Sequence, residues 1–133
     1  MATKILDSYA VLAFLEDEPG ADAVRNLILK AEEGGVKLAM SVVNLGEVWY
    51  AIARTTSPAT ADRYIQEIQG MAIEIVDVNW VLTRQAAAYK AKGKISYADC
   101  FVAALAQDRD GEIVTGDKEF QMLEEENKIL WIQ

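Results

Sequence analysis

The chain has 133 residues, enough for one domain with one sizeable core, and its 52% hydrophobic and 26% charged content argues against intrinsic disorder. It has no histidine and a single cysteine, Cys100, which excludes histidine acid/base chemistry, Ser-His-Asp and Cys-His nucleophiles, the usual zinc sites and an internal disulfide. A net charge of −8 has the wrong sign for plain phosphate binding, so chemistry must come from carboxylates, hydroxyls, lysine or a hard metal ion.

Residues 3–6 read as a short buried strand and 7–16 as the helix that follows, closed by the turn Asp17-Glu18-Pro19-Gly20. The run from Tyr9 to Leu15 is the longest strongly apolar stretch and far too short to span a bilayer. No basic leader with a small-residue cleavage site is recognisable either, so no membrane segment is expected and the cytoplasm is the expected location. Val24, Leu27, Ile28 and Ala31 recur at helical spacing until Gly34-Gly35. Residues 37–40 form the second expected strand, and Ser41 caps a helix reaching about residue 54.

Ser57-Pro58 is a cap followed by proline at the first helical position, and Ala61, Tyr64, Ile65 and Ile68 give that helix its apolar stripe. A third strand is expected at 72–76, then a helix capped by Asn79 that carries Leu82, Ala86 and Tyr89 and breaks at Gly93. Ser96 starts another, with Ala98, Phe101, Val102 and Leu105 on its apolar side. Asp110-Gly111 turns into a fourth strand at 112–115; a short helix and a last strand at 129–132 complete the chain. Uniformly apolar strands alternating with helices predict a three-layer α/β sandwich around a mainly parallel sheet of about five strands, with residues 1–133 as one domain.

Ligands in such sheets sit at the carboxyl ends of the strands. Asp7 directly follows the first strand, and Asp117 comes two residues after Thr115 closes the fourth. Asp99 lies in the first turn of its helix, and Glu47 in the second turn of the helix after the second strand. Each also has a plainer job. Asp7 and Asp117 can cap the helices that follow them, Ser96-x-x-Asp99 is a capping box, and Glu47 lies opposite the arc of Leu45, Val48, Trp49 and Ile52 and can be merely solvated. Taken together, a crowd of carboxylates needs a cation to persist. All-oxygen ligands suit Mg²⁺ or Mn²⁺, which can activate water where no histidine can, and phosphodiester hydrolysis is the reaction such sites serve.

The four segments Ile5-Leu6-Asp7-Ser8, Asn44-Leu45-Gly46-Glu47-Val48, Ser96-Tyr97-Ala98-Asp99-Cys100-Phe101-Val102 and Thr115-Gly116-Asp117-Lys118-Glu119-Phe120 resemble the PIN-domain ribonucleases, in particular the VapC toxins of toxin–antitoxin pairs. The likeness runs over essentially the whole chain, and the ordered set of four carries it. It implies a metal-dependent endoribonuclease with Asp7, Glu47, Asp99 and Asp117 as catalytic residues. Of these, Asp7, Asp99 and Asp117 would hold Mg²⁺ (or Mn²⁺), and Glu47 would ligate through water or position the attacking one. Thr115 matches a supporting hydroxyl and Glu119 a further acid. RNA substrate, a cognate antitoxin and a homodimer are the implied partners; the alternative is a PIN fold kept as an RNA- or protein-binding module. Arg54, Arg84, Lys90, Lys92, Lys94 and Lys118 lie near these segments and can form a phosphate track, or the three closely spaced lysines can be a solvated helix end. Cys100 is expected to be a core thiol, Trp49, Trp80 and Trp131 core or interface residues with base stacking as the alternative, and Tyr9 and Tyr97 packing residues. A strand ending in aspartate also opens the haloacid-dehalogenase-like and receiver folds, but the first needs an acid where Tyr9 stands and the second a partner acid beside Asp7.

Overall fold

In the computed structural model, which describes residues 2–133, the apolar runs become five strands: β1 Thr3–Leu6, β2 Lys37–Ser41, β3 Ile73–Val76, β4 Glu112–Thr115 and β5 Ile129–Trp131. They form one sheet in the order β3-β2-β1-β4-β5 with parallel pairing at all four junctions. Parallel neighbours cannot be joined by a tight turn, so helices make the connections. α1 Ser8–Leu15 and α2 Ala21–Glu32 lead to β2, α3 Val42–Thr55 and α4 Pro58–Gln69 to β3, and α5 Trp80–Lys92 and α6 Tyr97–Arg109 to β4. A 3-10 helix, Lys118–Leu123, leads to β5. The expected α/β sandwich is what forms, its sheet entirely parallel.

Successive strand residues face opposite sides, and both sides are covered, which is why the strands are apolar throughout. Leu6, Leu38, Met40 and Val114 pack with residues of α1–α4 such as Val24, Val48 and Ile68. On the other side Ile5, Ala39 and Ile113 pack with Leu82, Phe101, Leu105 and Phe120. Each such fully buried aliphatic side chain contributes about 1.5–3 kcal/mol relative to exposure. α6 is buried on all sides from Asp99 to Ala106, and its alanines let it fit between α5 and the sheet. Cys100 lies within this layer with no exposed surface, as a core thiol should.

The expected caps form. Ser41, Ser57, Asn79 and Ser96 each accept a hydrogen bond from the backbone N–H three residues on. Element ends shift by a residue for identifiable reasons: Asp7 is extended, with φ −88° and ψ 176°, and caps α1 rather than belonging to it. The chain steps from β1 to β2 and β3 on one side, then returns to place β4 on the other side of β1. The strand order reverses there, so the crevice beyond the carboxyl ends of β1 and β4 is where a ligand site belongs.

Candidate functional site

Asp7 emerges from the end of β1 and is 1% exposed. Its Oδ1 accepts the Ala10 N–H at 2.8 Å, the capping bond of α1. Its Oδ2 accepts a hydrogen bond from the Thr115 hydroxyl at the end of β4. That same Thr115 oxygen accepts the Asp117 N–H at 2.9 Å, so one buried hydroxyl fixes two acids that are far apart in the chain. Asp117 in turn caps the 3-10 helix, its Oδ1 accepting the Glu119 N–H at 3.0 Å. Between them Gly116 allows Tyr9 to press against the backbone; a Cβ there would collide with the Tyr9 ring edge and lie 3.0 Å from Cζ.

Asp99 enters from α6. Ser96 caps that helix by accepting the Asp99 N–H at 3.2 Å, and the Asp99 side chain is left 6% exposed at the helix N-terminus. Carboxylate oxygens of Asp99, Asp117 and Glu119 all lie within 4.8 Å of one another. That separation is comparable with the roughly 4–5 Å across an oxygen-ligated divalent cation. Glu47 approaches from α3 on a rigid support. Asn44, fully buried, accepts the Ser41 hydroxyl at 2.5 Å and donates from Nδ2 to Glu47 Oε1 and to the Ala98 carbonyl, both at 3.1 Å. α3 and α6 are thereby tied together beside the acids.

Burial drives the electrostatics. Asp7 is pushed up from 3.8 to about 7, chiefly because the protein strips water from its carboxylate; the Thr115 and Ala10 bonds oppose this, and the charges of Asp117 and Glu47 add to it. Asp99 is pushed up to about 8 by burial first, then by a hydrogen bond shared with Glu119 and the charges of Asp7 and Asp117, against the Ser96 bond. Two buried acids, Asp7 and Asp99, thus stand close to the half-buried Asp117 and the exposed Glu119, an arrangement a divalent cation relieves. The donor set fits one: the clustered oxygens are hard carboxylates, and no sulfur or imidazole competes.

Of the four acids expected from the sequence, Asp99 and Asp117 come within 4.8 Å of each other, while Asp7 and Glu47 stand beside them at the same edge of the sheet, outside that cluster. Asp99 and Asp117 share the tightest cluster with Glu119, which the sequence offered only as a secondary acid. Asp7 joins them through the Thr115 hydroxyl, and Glu47 through Asn44 and its charge on Asp7. Asn44 is the residue the sequence reading left without a role, although Ser41, Asn44 and Glu47 stand three residues apart on one helical face. Among the basic residues, Lys90 donates to the Ile95 carbonyl at 2.9 Å and holds the end of α5, and Arg54 lies over the Tyr50 ring. Trp80 is 72% exposed and is no core residue, while Trp49 donates from Nε1 to Asp62 at 2.8 Å on the surface. Tyr97 makes an edge-on contact with Phe101.

A family profile described as PIN domain matches residues 4–126. No curated protein matches the sequence. Among solved structures, DNA-bound VapBC from Salmonella typhimurium is similar at 18% identity and a TM-score of 0.74, covering 100% of both chains. VapBC2 from Rickettsia felis, bound to a promoter DNA fragment, is similar at 17% identity and a TM-score of 0.72, covering 96% of this chain and 97% of that one. Mycobacterium tuberculosis VapC20, a sarcin-ricin loop cleaving toxin, is similar at 14% identity and a TM-score of 0.70, covering 90% and 93%. These likenesses establish the fold.

Proposed function

The chain belongs to the PIN-domain family, and from that premise we propose that it is a Mg²⁺- or Mn²⁺-dependent endoribonuclease, the toxin of a toxin–antitoxin pair. The observation that carries this reading is the convergence of Asp99, Asp117 and Glu119 within 4.8 Å beside a buried Asp7, at the carboxyl edge of a parallel sheet. Asp7, Asp99 and Asp117 would hold the ion, with Glu119 as a fourth oxygen donor. When bound, the ion compensates the charge of the scissile phosphate and lowers the pKa of a water for in-line attack.

The chain's own groups do the positioning. Thr115 keeps the Asp7 carboxylate and the Asp117 backbone in register. Asn44 occupies Glu47 Oε1, leaving Oε2 to orient the attacking water and take its proton. Water attacks phosphorus, one P–O bond to a ribose oxygen breaks, and that oxygen takes a proton from solvent, so that a phosphate end and a hydroxyl end are left. Incubating the purified protein with labelled RNA in Mg²⁺, in Mn²⁺ and in chelator tests the reading. Cutting that disappears with chelator and with Asp99→Asn supports it, whereas metal-independent cutting, or cutting by Asp99→Asn at the parent rate, overturns it. RNA bound but never cut favours the alternative, a PIN fold retained as a binding module.

The similar VapBC proteins support an antitoxin as partner. A homodimer is proposed as well: Trp80 and Val81, 72% and 74% exposed at the start of α5, are a pair of large apolar side chains that an interface would cover. Light scattering of the purified chain checks it, with Trp80→Lys expected to shift the mass to that of a monomer. No helix among the described residues is long and apolar enough to cross a membrane. A cytoplasmic toxin acting on cytoplasmic RNA is the proposed setting.

A further inference from the structure

Beside the acids lies a groove of about 530 Å³ that the chemistry above does not use, lined by Gly116, Lys118, Gln121, Glu124, Trp131 and Gln133. It runs between the 3-10 helix and the end of the edge strand β5, and begins at Gly116, next to Asp117. Its volume is within the range of small-ligand sites. Trp131 is the register partner of Thr115 in the parallel β4–β5 pair, a backbone spacing of about 4.8 Å, so both side chains rise from the same face of the sheet. The Thr115 hydroxyl already joins Asp7 to Asp117. An indole in the neighbouring register position is therefore one strand removed from where the scissile phosphate must lie.

Part of the Trp131 ring packs on the second hydrophobic layer, and the rest is left to line the groove. We propose that this groove is a nucleobase subsite, in which an unpaired base flanking the cleaved phosphate stacks on Trp131; the assignment rests on the nuclease reading for the neighbouring phosphate. The lining fits a base better than a phosphate. Lys118 is the only cation among its lining residues, offset by the Glu124 carboxylate, whereas Gln121 offers an amide that donates and accepts, and Gln133, whose Nε2 donates to the Tyr9 hydroxyl, offers its carbonyl oxygen as an acceptor. Glu124 can accept from an exocyclic amine, as carboxylates do from cytosine N4. Uracil has no such amine. The groove thus favours adenine, guanine or cytosine over uracil at that one position.

The test is fluorescence anisotropy of a labelled single-stranded RNA hexamer with the full chain in Ca²⁺ in place of Mg²⁺, and cleavage in Mg²⁺ or Mn²⁺ is measured separately. Trp131→Leu keeps apolar packing without an aromatic face, Trp131→Phe keeps a face, and thermal melts establish that both fold. Stacking predicts binding weakened about 5- to 100-fold by Leu and largely retained by Phe. Replacing the base at one position by an abasic residue should cost the parent chain the same factor and the Leu variant nothing. Uracil there should bind at least about fivefold more weakly than cytosine. Equal binding by parent and Leu variants, or an abasic penalty that survives in the Leu variant, overturns the subsite while cleavage can still stand. Trp131-dependent binding with no cutting in Mg²⁺ or Mn²⁺ overturns the nuclease and leaves the subsite in place. Absence of both binding and cutting overturns both.

Discussion

Removing divalent ions and raising the pH should loosen this protein, and the acids set the size of the effect. Asp7 and Asp99 are buried and titrate near 7 and 8 in the fold, against 3.8 when unfolded. Groups with raised values favour the folded state most below the unfolded value. Between about pH 4 and pH 8 the fold binds more protons than the open chain, so stability falls as pH rises and levels off above the folded values. For Asp7 a rise from 3.8 to about 7 corresponds to about 4 kcal/mol at 1.36 kcal/mol per tenfold change. Asp99 has an effect of the same order; since the two acids repel each other, the sum is not simply twice that. A loss of about 4 kcal/mol is a large part of the 5–15 kcal/mol typical of a domain. Urea unfolding in chelator at intervals from pH 5 to pH 8 measures the part that falls in that window, about 3 kcal/mol for Asp7, the rest being lost already between 3.8 and 5. That window avoids Glu74, whose Arg109 partner lowers its value and whose stabilising contribution is lost only at acid pH. Mg²⁺ or Mn²⁺ should restore the stability lost at pH 8, and Asp99→Asn should flatten the slope, making that variant more stable than its parent in chelator. A parent whose stability is flat from pH 5 to pH 8 in chelator, or an Asp99→Asn variant less stable than it at pH 8, would refute the reasoning.

Asn44→Leu should strand the Ser41 hydroxyl, the Ala98 carbonyl and Glu47 without their partner, costing about 1–3 kcal/mol in urea unfolding and at least about tenfold in cleavage. Thr115→Val keeps the side-chain shape but removes a bond that holds the Asp7 value down, so the acid limb of the cleavage–pH profile should move to higher pH. Gly116→Ala forces a methyl into the Tyr9 ring and should destabilise by about 1–3 kcal/mol, with Tyr9→Leu added in the same chain restoring most of the loss in thermal melts.

Local features were legible because local chemistry writes them. Ser41, Ser57, Asn79 and Ser96 cap the helices they were read to cap, since a short polar side chain before an apolar periodic run has few other uses. Asp7 caps α1 and also reaches across to β4: one carboxylate oxygen serves the Ala10 N–H and the other accepts from Thr115. The exclusion of zinc and histidine chemistry came from counting, and the acids at strand ends from the α/β pattern alone. Two things were out of reach. Asp117 and Glu119 are two apart, which in an α-helix points them to different sides; the cap followed by a 3-10 turn brings their oxygens together. The place of β4 on the far side of β1 depends on which strands find each other, and no stretch of sequence around either one states it.

That distant pairing sets when the acidic site is complete. Asp7 and its hydroxyl donor are 108 residues apart in the chain. While the polypeptide is being made at roughly 5–20 residues per second, the first acid waits seconds for the segment that completes its surroundings. A nascent chain therefore carries the first acids before the pocket that surrounds them has formed.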